Sequence, residues 1–245
     1  MGLSIESLTE RDIAKAIDHS LLKPELDDAL VEAGCRLAAK YDVASVCVRP
    51  ADVSRAKAIL AATDVAVGTT IGFPHGNHVT EIKVAEARRA LSDGATEIDM
   101  VIQIGALKAG RDADVESDIR AVVEVGRAAG AIVKVIFENA YLTDAEKIRA
   151  CHLSESAGAD FVKTSTGFAP SGATLDDLRL MRANTSPHVQ IKAAGGVRTL
   201  DALLAVMEVG VTRIGATATE AIIEEFRARK AGLAPAGKGG LGGRY

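Results

Sequence analysis

Four ionisable residues interrupt apolar segments that otherwise read as buried strands. Asp99 sits between Ile98 and Met100, Lys134 between Val133 and Val135, and Lys192 between Ile191 and Ala193. Lys163 follows Val162 and leads into the polar run Thr164-Ser165-Thr166. An unpaired charge in a protein interior is very costly, so each needs a partner or a shifted pKa. An internal ion pair is the ordinary explanation for any single one. Three amines around one acid outrun that explanation, although Glu97 or Glu138 could share the neutralisation. Crowded lysines have a specific chemical use. An ordinary lysine is only about 0.04% neutral amine at pH 7. A second ammonium nearby, together with desolvation, lowers the pKa and restores the nucleophile. A neutral lysine amine attacks a carbonyl and forms a Schiff base, whose iminium draws electrons from a neighbouring C–C or C–H bond. Asp99 would then move protons as general base and acid, directly or through water. The residues alone do not choose the nucleophile among Lys134, Lys163 and Lys192.

The elements that must position these groups can be read from periodicity. Short β-rich runs fall at 16–20, 44–49, 65–73, 95–102, 132–138, 160–166, 189–194 and 212–216. Helical patterns lie between them, with apolar residues at i, i+3, i+4 and i+7. Leu30, Ala33, Gly34 and Leu37 make one such face; Ile119, Val122, Val123 and Gly126 make another, as do Leu200, Leu203, Leu204 and Met207. Thr143 followed by Glu146 predicts a capping box, and Thr174 with Asp177 a weaker one. Gly94, Gly130, Gly158 and Gly210 each fall between a helix and the next strand, where a left-handed cap is wanted. Strand-then-helix repeated eight times predicts parallel strands in a (β/α)8 TIM barrel, an α/β single domain. The barrel is expected over 1–229, with a flexible Gly-rich C-terminal tail over 230–245. A doubly wound open sheet is the alternative, but no glycine-rich dinucleotide fingerprint follows the first strand. Catalytic groups of a barrel cluster at the C-terminal ends of its strands, so the four ionisable residues converge if all point inward.

An anion site is expected at the same end. Gly195-Gly196-Val197-Arg198 follows the seventh candidate strand, and Gly215-Ala216-Thr217 follows the eighth. Barrels often hold phosphate with these two loops, through backbone N–H groups and a helix N-terminus. The turn Thr166-Gly167 is placed to join them, and the Thr217 hydroxyl can add a donor.

Composition narrows the partners. The chain has 245 residues, 48% of them hydrophobic and 25% charged, which fits a globular protein with a core large enough to need no staples. A net charge of −4 and 3% aromatic residues without tryptophan give no sign of nucleic-acid binding. No apolar run approaches a membrane span. Cys35, Cys47 and Cys151 are too few and too widely spaced for a disulfide framework or zinc site, which favours a reducing, cytoplasmic compartment. Cys47 lies near the top of the second strand, where a thiol can line a pocket or simply pack. His75 and His78 lack further ligands with suitable spacing, so no metal is expected.

Taken together, the motifs resemble the deoxyribose-phosphate aldolase family, class I aldolases built on a (β/α)8 barrel. The resemblance rests on Ile17-Asp18-His19-Ser20-Leu21-Leu22-Lys23-Pro24, Ser45-Val46-Cys47-Val48 and Gly72-Phe73-Pro74-His75-Gly76. It continues through Glu97-Ile98-Asp99-Met100-Val101, Lys134-Val135-Ile136, Lys163-Thr164-Ser165-Thr166-Gly167-Phe168 and Lys192-Ala193-Ala194-Gly195-Gly196-Val197-Arg198-Thr199. The resemblance implies reversible cleavage of 2-deoxy-D-ribose 5-phosphate to D-glyceraldehyde 3-phosphate and acetaldehyde, without cofactor or metal. It implies that Lys163 forms the Schiff base, and that Lys192 lowers its pKa and shares proton transfer with Asp99. Asp18, Ser20, Cys47, Lys134, Thr166 and the terminal Tyr245 would contact or support the substrate. Gly167, Gly195, Gly196 and Thr217 would hold the phosphate. A homodimer is expected on the same ground. Three positions depart from the family pattern. Ser20 stands where threonine is common and keeps the hydroxyl. Ala218 stands where some members have a second serine, and Phe168 where some have lysine, which removes a cation from the phosphate end. The competing readings are another barrel lyase or isomerase acting on a related sugar phosphate, and a sugar-phosphate-binding protein without chemistry. The second has no use for a lysine of depressed pKa.

Overall fold

The computed structural model describes residues 4–233 and residue 241. Strands β1 (Ile17–Leu21), β2 (Ser45–Val48), β3 (Ala66–Ile71), β4 (Glu97–Val101), β5 (Ile132–Ile136), β6 (Phe161–Lys163), β7 (Gln190–Ala194) and β8 (Arg213–Ala216) pair in parallel and in chain order. β8 returns to β1, so the sheet closes into a barrel and no edge is left to cover. The described helices are α1 (Glu10–Ala14), α2 (Asp28–Lys40), α3 (Val53–Ile59), α4 (Thr80–Ser92), α5 (Ile104–Lys108), α6 (Asp112–Ala128), α7 (Asp144–Ser156), α8 (Leu175–Ala183), α9 (Leu200–Glu208) and α10 (Thr219–Lys230). They ring the barrel, and the main apolar core lies between them and the outward faces of the strands. No described helix is long and apolar enough to cross a membrane. Most of the expected tail, with Tyr245, lies outside the described residues; Lys230 itself is the last residue of α10.

All eight expected strands are present, and the start and stop signals behave as their chemistry requires. Thr143 and Glu146 form a reciprocal capping box, while Thr174 caps α8 through the Asp177 amide alone. Gly94, Gly130, Gly158 and Gly210 all adopt positive φ. Two expectations need correction. The buried face of α2 is Val31, Gly34, Cys35 and Ala38, one step round from the stripe read in the sequence, and Leu30 is exposed. Close approach to β1 sets the rotation: a Cβ on Gly34 would stand 2.4 Å from Leu21 Cδ2. The sixth strand stops at Lys163 rather than 166. The Thr164 hydroxyl takes over there, donating to the Ala194 carbonyl and accepting from the Ala194 amide, each at 3.1 Å. The chain is then free to turn.

Candidate active site

Strand alternation aims a cluster of charges into the barrel. The ladder places Asp99 opposite Lys134 and Lys163 opposite Lys192. The four expected residues do converge. Lys163 Nζ and Lys192 Nζ both donate to Asp99 Oδ2 at 2.7 Å, and Lys134 Nζ donates to Asp99 Oδ1 at 3.0 Å. All four are essentially buried.

The cluster is larger than the sequence reading allowed. Asp18 Oδ2 lies 2.6 Å from Lys192 Nζ and 3.5 Å from Lys134 Nζ. Glu97 takes Lys134 at 2.5 Å. Arg213 at the base of β8 pairs with both Asp18 and Glu97, the latter at 2.7 Å. Arg213 was missed, although it interrupts an apolar run just as the lysines do. Glu138 makes no ion pair with the lysines and feels the Lys163 charge only from a distance. It sits at φ 57, ψ 65 after β5 and accepts from both the amide and the hydroxyl of Thr166.

Counting charges distinguishes the lysines. Asp18, Glu97 and Asp99 face Lys134, Lys163, Lys192 and Arg213. Three carboxylates balance three cations and leave one amine over. Lys134 touches three carboxylates and Lys192 and Arg213 touch two each, whereas Lys163 has Asp99 alone. Its pKa accordingly falls: burial is the main cause, with the Lys192 ammonium adding to it against the pull of Asp99. Burial opposes charge on Lys192 as well, but Asp18 and Asp99 outweigh it and raise the pKa. Lys134 is raised in the same way by Asp99, Asp18 and Glu97. Burial would raise Asp99, yet the three lysines hold it well below the carboxylate range. The one amine that ionises least is therefore Lys163. Its side chain is also the most exposed of the three lysines, at 4% against 1% for each of the others.

The remaining expected residues divide. Ser20, Thr166, Gly167 and Thr217 line a cavity of about 420 Å³ at the C-terminal end of the barrel. Gly196 and Thr217 line an adjoining one of about 170 Å³. Gly167, Gly195 and Gly196 all have positive φ, which glycine adopts without strain. Gly195 packs backbone to backbone instead of lining either cavity: a Cβ there would stand 2.7 Å from Gly172 Cα. The N-terminus of α10 has no side-chain cap, so its first amides have no competitor for an anion. Cys47 lines neither cavity; it is buried beside the charge cluster, and burial pushes its thiol up to about 11. Cys35 and Cys151 are buried helix residues.

Comparison with known proteins places the chain in a family. A family model described as DeoC/LacD family aldolase matches residues 13–239. The chain belongs to the DeoC/LacD family of aldolases. A family relative, the deoxyribose-phosphate aldolase of Rhodopirellula baltica, is 50% identical over 216 residues, covering 88% of this chain and 90% of its own. That of Thermococcus gammatolerans is 51% identical over 218 residues, covering 88% and 97%. Among solved structures, the tetrameric deoxyribose phosphate aldolase of Aeropyrum pernix superposes with a TM-score of 0.84 at 28% identity, covering 90% of this chain and 93% of that one.

Proposed function

We propose that the chain is a class I aldolase that reversibly cleaves 2-deoxy-D-ribose 5-phosphate to D-glyceraldehyde 3-phosphate and acetaldehyde, with Lys163 as the Schiff-base lysine. The observation that carries this reading is that Lys163 is the surplus cation of a buried cluster, paired with a single carboxylate. Neutral Lys163 adds to the C1 aldehyde of the open-chain sugar, and loss of water leaves an iminium. That new positive charge forms where Asp99 already stands, so it is stabilised without reorganisation. A base takes the C3 hydroxyl proton, the C2–C3 bond breaks, and its electron pair flows into the iminium. Glyceraldehyde 3-phosphate departs with the new carbonyl. The enamine left behind is protonated at C2, and water releases acetaldehyde and the free amine. Asp99 serves as base and then acid, directly or through water. Lys192, held charged by Asp18 and Asp99, disfavours reprotonation of Lys163 and relays protons to Asp99.

Ser20 and Thr166 meet the sugar from the cavity wall, and Cys47 adds a neutral thiol beside the charge cluster. Asp18 and Lys134 act on the substrate through the charge network. Gly167, Gly196 and Thr217 take the phosphate, with Gly195 fixing the loop beneath. A cytoplasmic location, in keeping with three free thiols, and a homodimer belong to the same proposal. Light scattering separates a dimer from a monomer and from the tetramer described for the Aeropyrum pernix protein. The deciding experiment is trapping: acetaldehyde and borohydride should leave a stable adduct on Lys163, located by mass spectrometry. Lys163→Ala should lose both adduct and turnover while the barrel stays folded by circular dichroism. Turnover retained in that variant would refute the assignment.

A further inference from the structure

The two cavities at the mouth of the barrel share two residues, Lys23 and Thr217. An anion lodged at their junction meets Gly167 from one side and Gly196 from the other. The loop after β6 brings no cation there. Position 168 is a phenylalanine, and its ring seats edge-on against Phe73 with centroids 5.4 Å apart. Lys23 comes from the loop after β1, on the facing side. Its backbone is pinned: Arg49, itself paired with Asp52 at 2.7 Å, donates to the carbonyls of Lys23 and Pro24 at 3.3 and 3.0 Å. Its ammonium is otherwise engaged only loosely, 3.9 Å from Glu25, in a half-exposed pair that holds it weakly. Glu25 lines the larger cavity and Arg198 the smaller, so Lys23 is the one cation among the described residues that lines both and stands at their junction.

We propose that Lys23 is the specificity residue for the phosphate of the substrate, supplying from the first loop the cation that the sixth loop lacks. The proposal rests on the aldolase reading. It assigns Lys23 no part in bond breaking, only in preferring the 5-phosphate over the free sugar.

The test compares 2-deoxyribose 5-phosphate with 2-deoxyribose. In Lys23→Met the ratio of the two kcat/KM values should fall roughly tenfold, the loss carried by KM for the phosphate ester. Lys23→Arg should keep most of the ratio. Adding Phe168→Lys to Lys23→Met should restore it, because the charge returns to the same junction from the other wall. A structural role would lower both substrates together and leave the ratio unchanged, and that outcome overturns the proposal. So does failure of the second-site lysine to rescue. If the parent protein cleaves neither sugar, the aldolase reading fails instead. Inorganic phosphate titrated against parent and Lys23→Met by thermal shift then still reports on Lys23: weaker protection of the variant supports the assignment, and equal protection rejects it.

Discussion

Replacing Lys192 with methionine tests the idea that a neighbouring charge keeps Lys163 reactive. Both nitrogens lie 2.7 Å from the same Asp99 oxygen, so they stand no farther apart than twice that distance. At about 5 Å and an effective dielectric of about 20, two like charges repel by about 3 kcal/mol. Removing one relieves that repulsion and leaves Asp99 Oδ2 to Lys163, with Lys134 still on Oδ1. Both changes favour the charged amine, so the sign is fixed: the pKa of Lys163 rises. About 3 kcal/mol corresponds to roughly a hundredfold less neutral amine at pH 7. The acid limb of kcat/KM should therefore move upward by about two pH units, with activity returning in alkaline buffer. Borohydride trapping with acetaldehyde, quantified by mass spectrometry across pH, should move in step. An acid limb that stays in place, or adduct formation that is undiminished at neutral pH, would refute the electrostatic role. A loss of turnover at every pH with normal trapping would assign Lys192 to proton transfer alone.

Three further outcomes follow from the same contacts. Arg213→Met leaves Asp18 and Glu97 short of a buried partner and should cost about 3–5 kcal/mol of stability, read from a denaturant melt. It also makes the remaining cluster three against three, so the acid limb of the rate profile should again rise. Glu138→Gln should flatten a pH dependence of folding: burial raises the Glu138 pKa, so stability falls as pH rises from the ordinary glutamate value through the raised one, and melts across that window will show whether the glutamine removes the slope. Gly172→Ala drives a Cβ to within 2.3 Å of the Gly195 carbonyl oxygen and should lower the melting temperature while raising KM for the phosphate ester, with both measured on one preparation.

Most of the architecture was legible because it rests on local rules. Eight apolar runs, punctuated by helix-ending glycines, specify alternating strands and helices, and inward charges on successive strands specify a polar interior. What sequence could not supply was pairing across distance. Arg213 and Asp18 come from opposite ends of the chain and meet only because β8 closes on β1. Arg213 and Asp18 enter the cluster as a balanced pair, and Glu97 then reduces the excess of three amines over one acid to a surplus of a single amine. Position 138 looked like a spare carboxylate for the lysines, yet a left-handed backbone turns it toward Thr166. The slip on α2 has a similar origin: an alanine-rich helix shows two plausible stripes, and only contact with Leu21 selects between them.

The short sixth strand has an evolutionary corollary. Its last paired residue is Lys163, the proposed Schiff-base lysine, and a few peptide units later the backbone already lines the cavity at the barrel mouth. A part that must hold still and a part that can vary are thus neighbours in the chain but separate in their duties. Between Gly167 and Gly172, whose backbones are constrained, changes at 168–171 are expected to alter the cavity lining while the charge cluster remains as it is.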